Sequence, residues 1–364
     1  MSTRSKIRVG IVGGNAQRGW ARDAHMPALL ALAQDFELVA VAARTGEIAE
    51  RARDAFGARL AFGDSHALAR APEVDLVVVA VKVPEHRAVV LAALEAGKHV
   101  ICEWPLGRDV AEADEMATAV GPASHVMIGL QGLSAPASRQ AIALVRDGAI
   151  GKPSVMRVFS PTAGWGAQAP PAYVYLQDKI NGATLETITG GHTLALMEGL
   201  IGAYTEIDAR SSTLRRRVRI QGTNEIITRS CADHMMVLGR HDSGCVSTLE
   251  VAGGVAEKPF MLELEGEHGW LRITGKNAGG YQTGMLTLET SVTGSATQEF
   301  VTAGLHGPPI NVAESYARLA ADIRAGTKTV PDFDDARHLS RLLNRIEQAS
   351  ESGQRQVWDG SGHD

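Results

Sequence analysis

The chain lacks what a membrane span, a disulfide scaffold or a nucleic-acid surface requires. Its most apolar run, Leu76 to Val81, is six residues long and stops at Lys82, against the roughly 20 needed to cross a bilayer. Three cysteines, Cys102, Cys231 and Cys245, cannot build a disulfide framework, and their spacing is not that of a zinc site. They read as small buried hydrophobes in a reducing compartment. Neither charge sign dominates: 36 Lys+Arg stand against 41 Asp+Glu, a formal charge of −5. That argues against a dominant nucleic-acid surface and leaves a local basic patch open. The twelve histidines show no H-E-x-x-H spacing, so no metal centre is expected. The opening MSTRSKIRVG carries no apolar stretch of the kind a signal peptide needs. The expected location is the cytoplasm.

What is present is an ordinary globular composition, 45% apolar and 21% charged over 364 residues, about the length of two domains. In the first third, strands and helices alternate. Strands are predicted at 7–12, 36–43, 59–62, 75–81, 99–103 and 125–130. Helices are predicted at 16–33, 45–56, from Pro84 to Gly97, and around 110–120. The run LVVVAV at 76–81 is apolar on both faces, as in a parallel sheet covered on both sides. This is a doubly wound α/β pattern, whose ligands sit beyond the carboxyl ends of the strands.

The pattern then changes. A stretch rich in Gly, Pro and aromatics at 160–175 precedes a helix at 184–201. Strand-like runs follow, with hairpin signals at His241-Asp242-Ser243-Gly244 and Glu267-His268-Gly269. Two helices, 311–325 and 332–350, close the chain. The expected division is residues 1–130 for the dinucleotide and 131–364 for a mostly antiparallel α+β domain, with the last helices free to pack back on the first.

The first strand-to-helix turn is Gly13-Gly14-Asn15-Ala16-Gln17-Arg18-Gly19. Against G-x-G-x-x-G, Gly13 matches the first position, Asn15 replaces the second glycine, and Gly19 lies one residue late. Asn tolerates left-handed backbone angles better than most residues. The turn is expected to present Gly13, Asn15 and Ala16 to a pyrophosphate at the helix start. The second strand ends Ala42-Ala43-Arg44-Thr45, with no acidic residue for ribose hydroxyls. Arg44 and Thr45 suit a 2′-phosphate, so NADP(H) is expected ahead of NAD(H). The other strand ends place Val81, Lys82, His86, Glu103, Trp104 and Gln131 at the same edge. Arg215, Arg217 and Arg219 alternate as on a solvated strand face.

Several segments carry a family resemblance: Leu76–Ala80, Pro84-Glu85-His86, Ala96-Gly97-Lys98-His99-Val100, Glu103-Trp104-Pro105-Leu106, Gly148-Ala149-Ile150-Gly151, Gly191-His192 and Pro331-Asp332-Phe333. Together they resemble the glucose–fructose oxidoreductase/inositol dehydrogenase/MocA (Gfo/Idh/MocA) family. A further set looks like its branch containing the fungal galactose-pathway repressor: Asn15-Ala16, Gly19-Trp20-Ala21, His25, Pro27-Ala28, Leu130-Gln131-Gly132 and Gly191-His192-Thr193. The resemblance implies a Rossmann domain, a second domain whose sheet packs against another subunit, and hence a homodimer or larger homo-oligomer. It also implies that Glu103 and His86 lie near the cofactor.

Departures from the family pattern are as informative. The lysine of the family's E-K-P is Trp104 here, and an indole cannot exchange a proton at neutral pH. Positions that commonly hold an aspartate near the helix histidine are Ile188 and Ala195. His192 remains as the first candidate for proton exchange, with Lys82, at the end of an apolar strand, as the second. Tyr175 could assist. Trp165 and Tyr173, with Trp104 and His192, could line a substrate site; ordinary loop anchoring is the plainer reading of the two aromatics. Two functions follow. One is an NAD(P)-dependent oxidoreductase acting on a small hydroxyl or carbonyl compound such as a sugar or polyol. The other is a dinucleotide-binding sensor or transcriptional regulator that kept the fold and lost the chemistry.

Overall fold

A computed structural model describes residues 5–292, 299–302 and 304–358. The chain forms two compact units. One contains the residues up to Gln131 together with 300–337; the other contains 132–299 and the residues from His338 onward.

The first unit is built on six parallel strands: β1 (Ile7–Val12), β2 (Phe36–Ala42), β3 (Leu60–Phe62), β4 (Leu76–Val79), β5 (His99–Cys102) and β6 (Val126–Ile128). Their order, β3-β2-β1-β4-β5-β6, reverses between β1 and β4, the switch point at which doubly wound sheets take their ligands. All four residues of β4 are buried, as its unbroken apolar run requires. Helices α1 (Met26–Ala31), α2 (Gly46–Phe56), α3 (Ser65–Arg70), α4 (Val83–Glu95) and α5 (Val110–Thr118) connect the strands. Thr45 caps α2, accepting from the Ile48 N–H at 3.4 Å, and Gly57 ends it at φ 72°. Helix α3 was not foreseen; Asp64 starts it by accepting from the His66 N–H at 2.9 Å.

The first helix departs from expectation. Residues 16–19 form a bend, and helical structure begins with a π turn at Ala21–His25 that runs into α1. The cause is Gly19, whose φ of 103° is incompatible with a helix.

In the second unit, α6 (Pro136–Arg146) leads into β7 (Pro153–Thr162). A short β8 (Gln168–Ala169), a π turn at Glu186–Gly190 and α7 (Gly191–Ile201) follow. Then come β9 (Tyr204–Ser212), β10 (Arg217–Ile220), β11 (Ile226–Thr228), β12 (His234–His241), β13 (Val246–Gly253), β14 (Phe260–Gly266), β15 (Trp270–Gly275) and β16 (Leu286–Thr290). Helices α8 (Pro309–Ala325) and α9 (Phe333–Ser352) and the short β17 (Gln356–Val357) close the chain. The large sheet has the order β16-β15-β14-β7-β13-β12-β9-β17. Only β7 and β13 run parallel in it; the expected hairpins β12–β13 and β14–β15 are both present.

Helix α8 belongs to the first unit. Val312, Tyr316 and Leu319 share a core with Ile11, Leu29, Leu32 and Phe36. The arginine stripe is partly corrected. Arg217 and Arg219 are exposed on β10, but Arg215 precedes the strand and its guanidinium lies 4.0 Å from the Asp233 carboxylate.

Candidate functional site

The candidates fall into two groups, one in each unit. In the first unit the turn after β1 is tightly determined. Gly13 has φ 102°, and a Cβ on it would stand 2.3 Å from the Ala80 carbonyl oxygen. Only glycine lets β1 and the end of β4 approach this closely. The N–H groups of Gly13 and Gly14 both donate to the Ala42 carbonyl at 3.0 Å, so they are not open to a phosphate. Asn15 does not take the left-handed backbone expected of it; among the described non-glycine residues only Trp165 has positive φ. Instead the Asn15 side-chain oxygen accepts from the N–H groups of Gln17 (2.9 Å) and Arg18 (3.3 Å), the local turn that Asx residues favour. Among the described residues the amides of Asn15 and Ala16 donate to no protein acceptor. Arg44 and Thr45 are both exposed at the end of β2.

Two further polar atoms in this unit lack partners. The Trp20 indole N–H and the Gln131 side-chain oxygen are buried with nothing to bond to, and Gln131 is 4% exposed. Buried orphans of this kind are uncommon in native proteins. Free amides at the β1 turn, an exposed cation at the end of β2 and two orphaned polar groups fit a dinucleotide.

Two other candidates sit differently from expectation. His86 is 1% exposed. Its Nδ1 lies 3.1 and 3.2 Å from the carbonyl oxygens of Pro105 and Leu106, and its Nε2 lies 3.2 Å from that of Val81. Burial depresses its pKa. Its ring nitrogens are therefore turned to the backbone, and His86 ties two edge loops together. Lys82 is exposed at the N-cap position before α4, so it lacks the burial that would lower a lysine's pKa.

Glu103 follows β5 and is 18% exposed, with Oε1 3.0 Å from His25 Nε2. His25 Nδ1 lies 2.9 Å from the Tyr316 hydroxyl. Trp104, 5% exposed, comes next and is joined to Pro105 by a cis bond. Val81 is half-buried. The His25–Tyr316 contact joins residues 291 apart and has no sequence signal.

In the second unit His192 opens α7 directly after the π turn, an irregularity that recurs at functional positions. Gly190 allows this turn to press on β12, since a Cβ there would lie 2.8 Å from Met235. The Tyr281 hydroxyl donates to the His192 carbonyl at 2.5 Å. Gly132 makes room for that tyrosine, because a Cβ on it would stand 2.6 Å from the ring. The imidazole itself is 5% exposed, and its Nδ1 is buried without a partner. The plain alternative, a histidine satisfied by backbone, is not what the structure holds. Burial lowers its pKa to about 3, so His192 is a neutral imidazole at neutral pH.

The loop aromatics divide. Trp165 is 6% exposed, sits at φ 56° and donates its indole N–H to the Leu176 carbonyl at 3.1 Å. It anchors the loop, the plainer of the two roles expected of it. Tyr175 is half-buried, and burial pushes its phenol up to about 12. Tyr173 is 54% exposed. Unforeseen was a buried network beneath this loop. Arg229 pairs with Asp233 at 2.7 Å, both side chains at 0% exposure. It also donates to Gln177 Oε1 (2.8 Å) and to the Gly166 carbonyl (2.7 Å).

Residues 7–129 match the model of the Gfo/Idh/MocA oxidoreductase family with the NAD-binding Rossmann fold. Residues 136–275 match the C-terminal domain of Gal80p. The chain is 29% identical over 362 residues to the dehydrogenase aclE of Aspergillus oryzae, covering 96% of this chain and 97% of the relative. It is 27% identical over 337 residues to the galactose/lactose metabolism regulatory protein GAL80 of Saccharomyces cerevisiae, covering 84% and 74%. The fold matches the crystal structure of a super-repressor mutant of Saccharomyces cerevisiae Gal80p (TM-score 0.86, 23% identity, 99% and 100% covered). It also matches levoglucosan dehydrogenase in complex with NADH and levoglucosan (TM-score 0.82, 20% identity, 97% and 99% covered). Among the described residues no group of three or more His, Cys, Asp or Glu could hold a metal ion, and no helix is long and apolar enough to cross a membrane.

Proposed function

We propose that this protein is an NADP(H)-dependent oxidoreductase of the Gfo/Idh/MocA family that interconverts a hydroxyl and a carbonyl group on a small sugar- or polyol-like compound. The observation that carries the reading is His192: a nine-tenths-buried imidazole with an unpartnered Nδ1 at the start of a helix. A substrate oxygen supplies the missing hydrogen bond. The nicotinamide, when bound, supplies the hydride. His192 orients the substrate hydroxyl or carbonyl, and takes or returns its proton through Nδ1 or Nε2. Its depressed pKa keeps it neutral and makes it a weak base, so proton transfer to it is concerted with hydride transfer and the imidazolium formed in turnover is short-lived. Tyr175, protonated at neutral pH, acts only as a donor. The amides of Asn15 and Ala16 hold the pyrophosphate, with Gly13 shaping the turn that presents them, Glu103, Trp104 and Gln131 line the nicotinamide end, and Arg44 with Thr45 receives the 2′-phosphate. Tyr173 offers its ring to the substrate.

The sheet of the second unit supports a homo-oligomer. Met236, Leu238, Val246, Met261 and Trp270 are all exposed, and strand register puts them on one face.

A second reading, the dinucleotide-responsive regulator, is favoured by Trp104 at the family's lysine position and by the Gal80p-type second domain. The test is a panel of sugars, polyols, aldehydes and ketones assayed with NADP(H) and NAD(H). Turnover abolished in His192→Ala, with cofactor affinity kept, supports the enzyme. Tight cofactor binding with no turnover anywhere on the panel supports the regulator.

A further inference from the structure

Glu103 stands at the carboxyl end of β5, and three features of the first unit determine where its carboxyl group lies. Gly129, just past β6, leaves the space it occupies; a Cβ there would stand 3.1 Å from both the Glu103 carboxyl carbon and Oε1. The π turn at 21–25 turns the ring of His25 inward, to 1% exposure, with Nε2 3.0 Å from Glu103 Oε1. That contact is at pairing distance but off the hydrogen-bond line. Helix α8 brings the Tyr316 hydroxyl to 2.9 Å from His25 Nδ1. The tyrosine is fully buried and its ring meets His25 edge-on, with centroids 5.8 Å apart.

The carboxylate on one side and the phenol on the other favour one proton arrangement on the imidazole between them. Burial, with the Glu103 charge nearby, holds the Tyr316 phenol well above its ordinary pKa, so it keeps its proton. A phenol donating to Nδ1 leaves the imidazole proton on Nε2, the nitrogen that faces the carboxylate. Tyr316 thus reinforces the tautomer that the carboxylate itself favours. Without that hydroxyl, Nδ1 has no donor to accept from, and the ring loses one of the contacts that fix its angle to Glu103.

We infer that His25 and Tyr316 are positioning residues that hold the Glu103 carboxylate for the nicotinamide half of the cofactor, with the C-terminal helix α8 as part of the cofactor site's support. The inference rests on the proposed dinucleotide reading. Neither residue touches the cofactor.

The test uses the full chain and two probes, NADPH and 2′,5′-ADP, the latter lacking the nicotinamide half. Tyr316→Phe removes one oxygen and keeps the ring, including its edge contact with Phe36 at 5.2 Å. NADPH affinity should fall about five- to tenfold, the scale of one lost hydrogen bond, while 2′,5′-ADP affinity stays unchanged. Nitrogen-15 NMR of the His25 ring should show the Nε2–H tautomer in the native protein and, in the variant, an Nδ1 resonance shifted by the loss of the phenol's hydrogen bond. Combined with Glu103→Gln, Tyr316→Phe should add nothing further, because it acts through that carboxylate. Unchanged NADPH affinity, equal loss for both probes, or additivity of the two substitutions would each overturn the inference while leaving the dinucleotide reading standing. A native protein that binds neither probe would remove both.

Discussion

Replacing Arg229 by methionine should destabilise the second unit by about 3 kcal/mol. The side chain is fully buried and makes a 2.7 Å ion pair with an equally buried Asp233. It also bonds Gln177 Oε1, the Arg215 carbonyl and the Gly166 carbonyl. Methionine fills much of the volume but answers none of these. Breaking a buried pair from one side typically costs about 3–5 kcal/mol. The lower figure applies because Asp233 keeps the N–H groups of Leu214 (2.8 Å) and Arg215 (2.7 Å) and has the Arg215 guanidinium 4.0 Å away. For a unit of this size that loss lowers the melting temperature by roughly 6–12 °C, measured by calorimetry. The double replacement Arg229→Met/Asp233→Leu removes the stranded charge and should recover part of the loss. A single variant within 2 °C of native (roughly 1 kcal/mol or less), or a double variant worse than the single, would refute the reasoning.

Three further outcomes follow from the same geometry. His192 has a folded pKa of about 3 against an ordinary 6.5, so the unfolded chain takes up its proton first. Its contribution is whole above pH about 6.5 and is lost as pH falls toward 3. Between pH 7 and 5 that loss is about 2 kcal/mol, and denaturant titrations should show it absent in His192→Gln. Arg44→Ala should weaken NADPH about tenfold or more, the scale of a charge-assisted bond, and leave NADH unchanged; equal effects on both would remove the 2′-phosphate assignment. Light scattering on the eluted protein should give at least twice the 38.6 kDa chain mass, and a value near 39 kDa would reject the homo-oligomer.

How far the fold could be read ahead depended on how local its causes are. The apolar run at 76–79 and the stop at Gly57 act within a few residues, and the elements they mark appear where expected. The hairpins after His241 and Glu267 are equally local. The first helix was misplaced because one glycine, Gly19 at φ 103°, outweighed a helical pattern on both sides of it. The site was less legible. Composition marks the glycine turn and the missing acid after Ala43. It does not show that His86 turns its nitrogens to three carbonyls, that Trp165 spends its N–H on Leu176, or that Arg229 is buried. Those facts depend on partners brought together by the fold, as does the pairing of His25 with Tyr316 across 291 positions.

The most direct measurement of the central claim is substrate-dependent loss of NADPH absorbance by the native protein and by His192→Ala, with NADPH affinity of both followed by tryptophan fluorescence. The account predicts turnover of at least one small carbonyl compound, lost in the variant while affinity is retained. Turnover that survives in His192→Ala would contradict the assigned role of the histidine. Tight NADPH binding with no turnover by the native protein would contradict the enzyme itself.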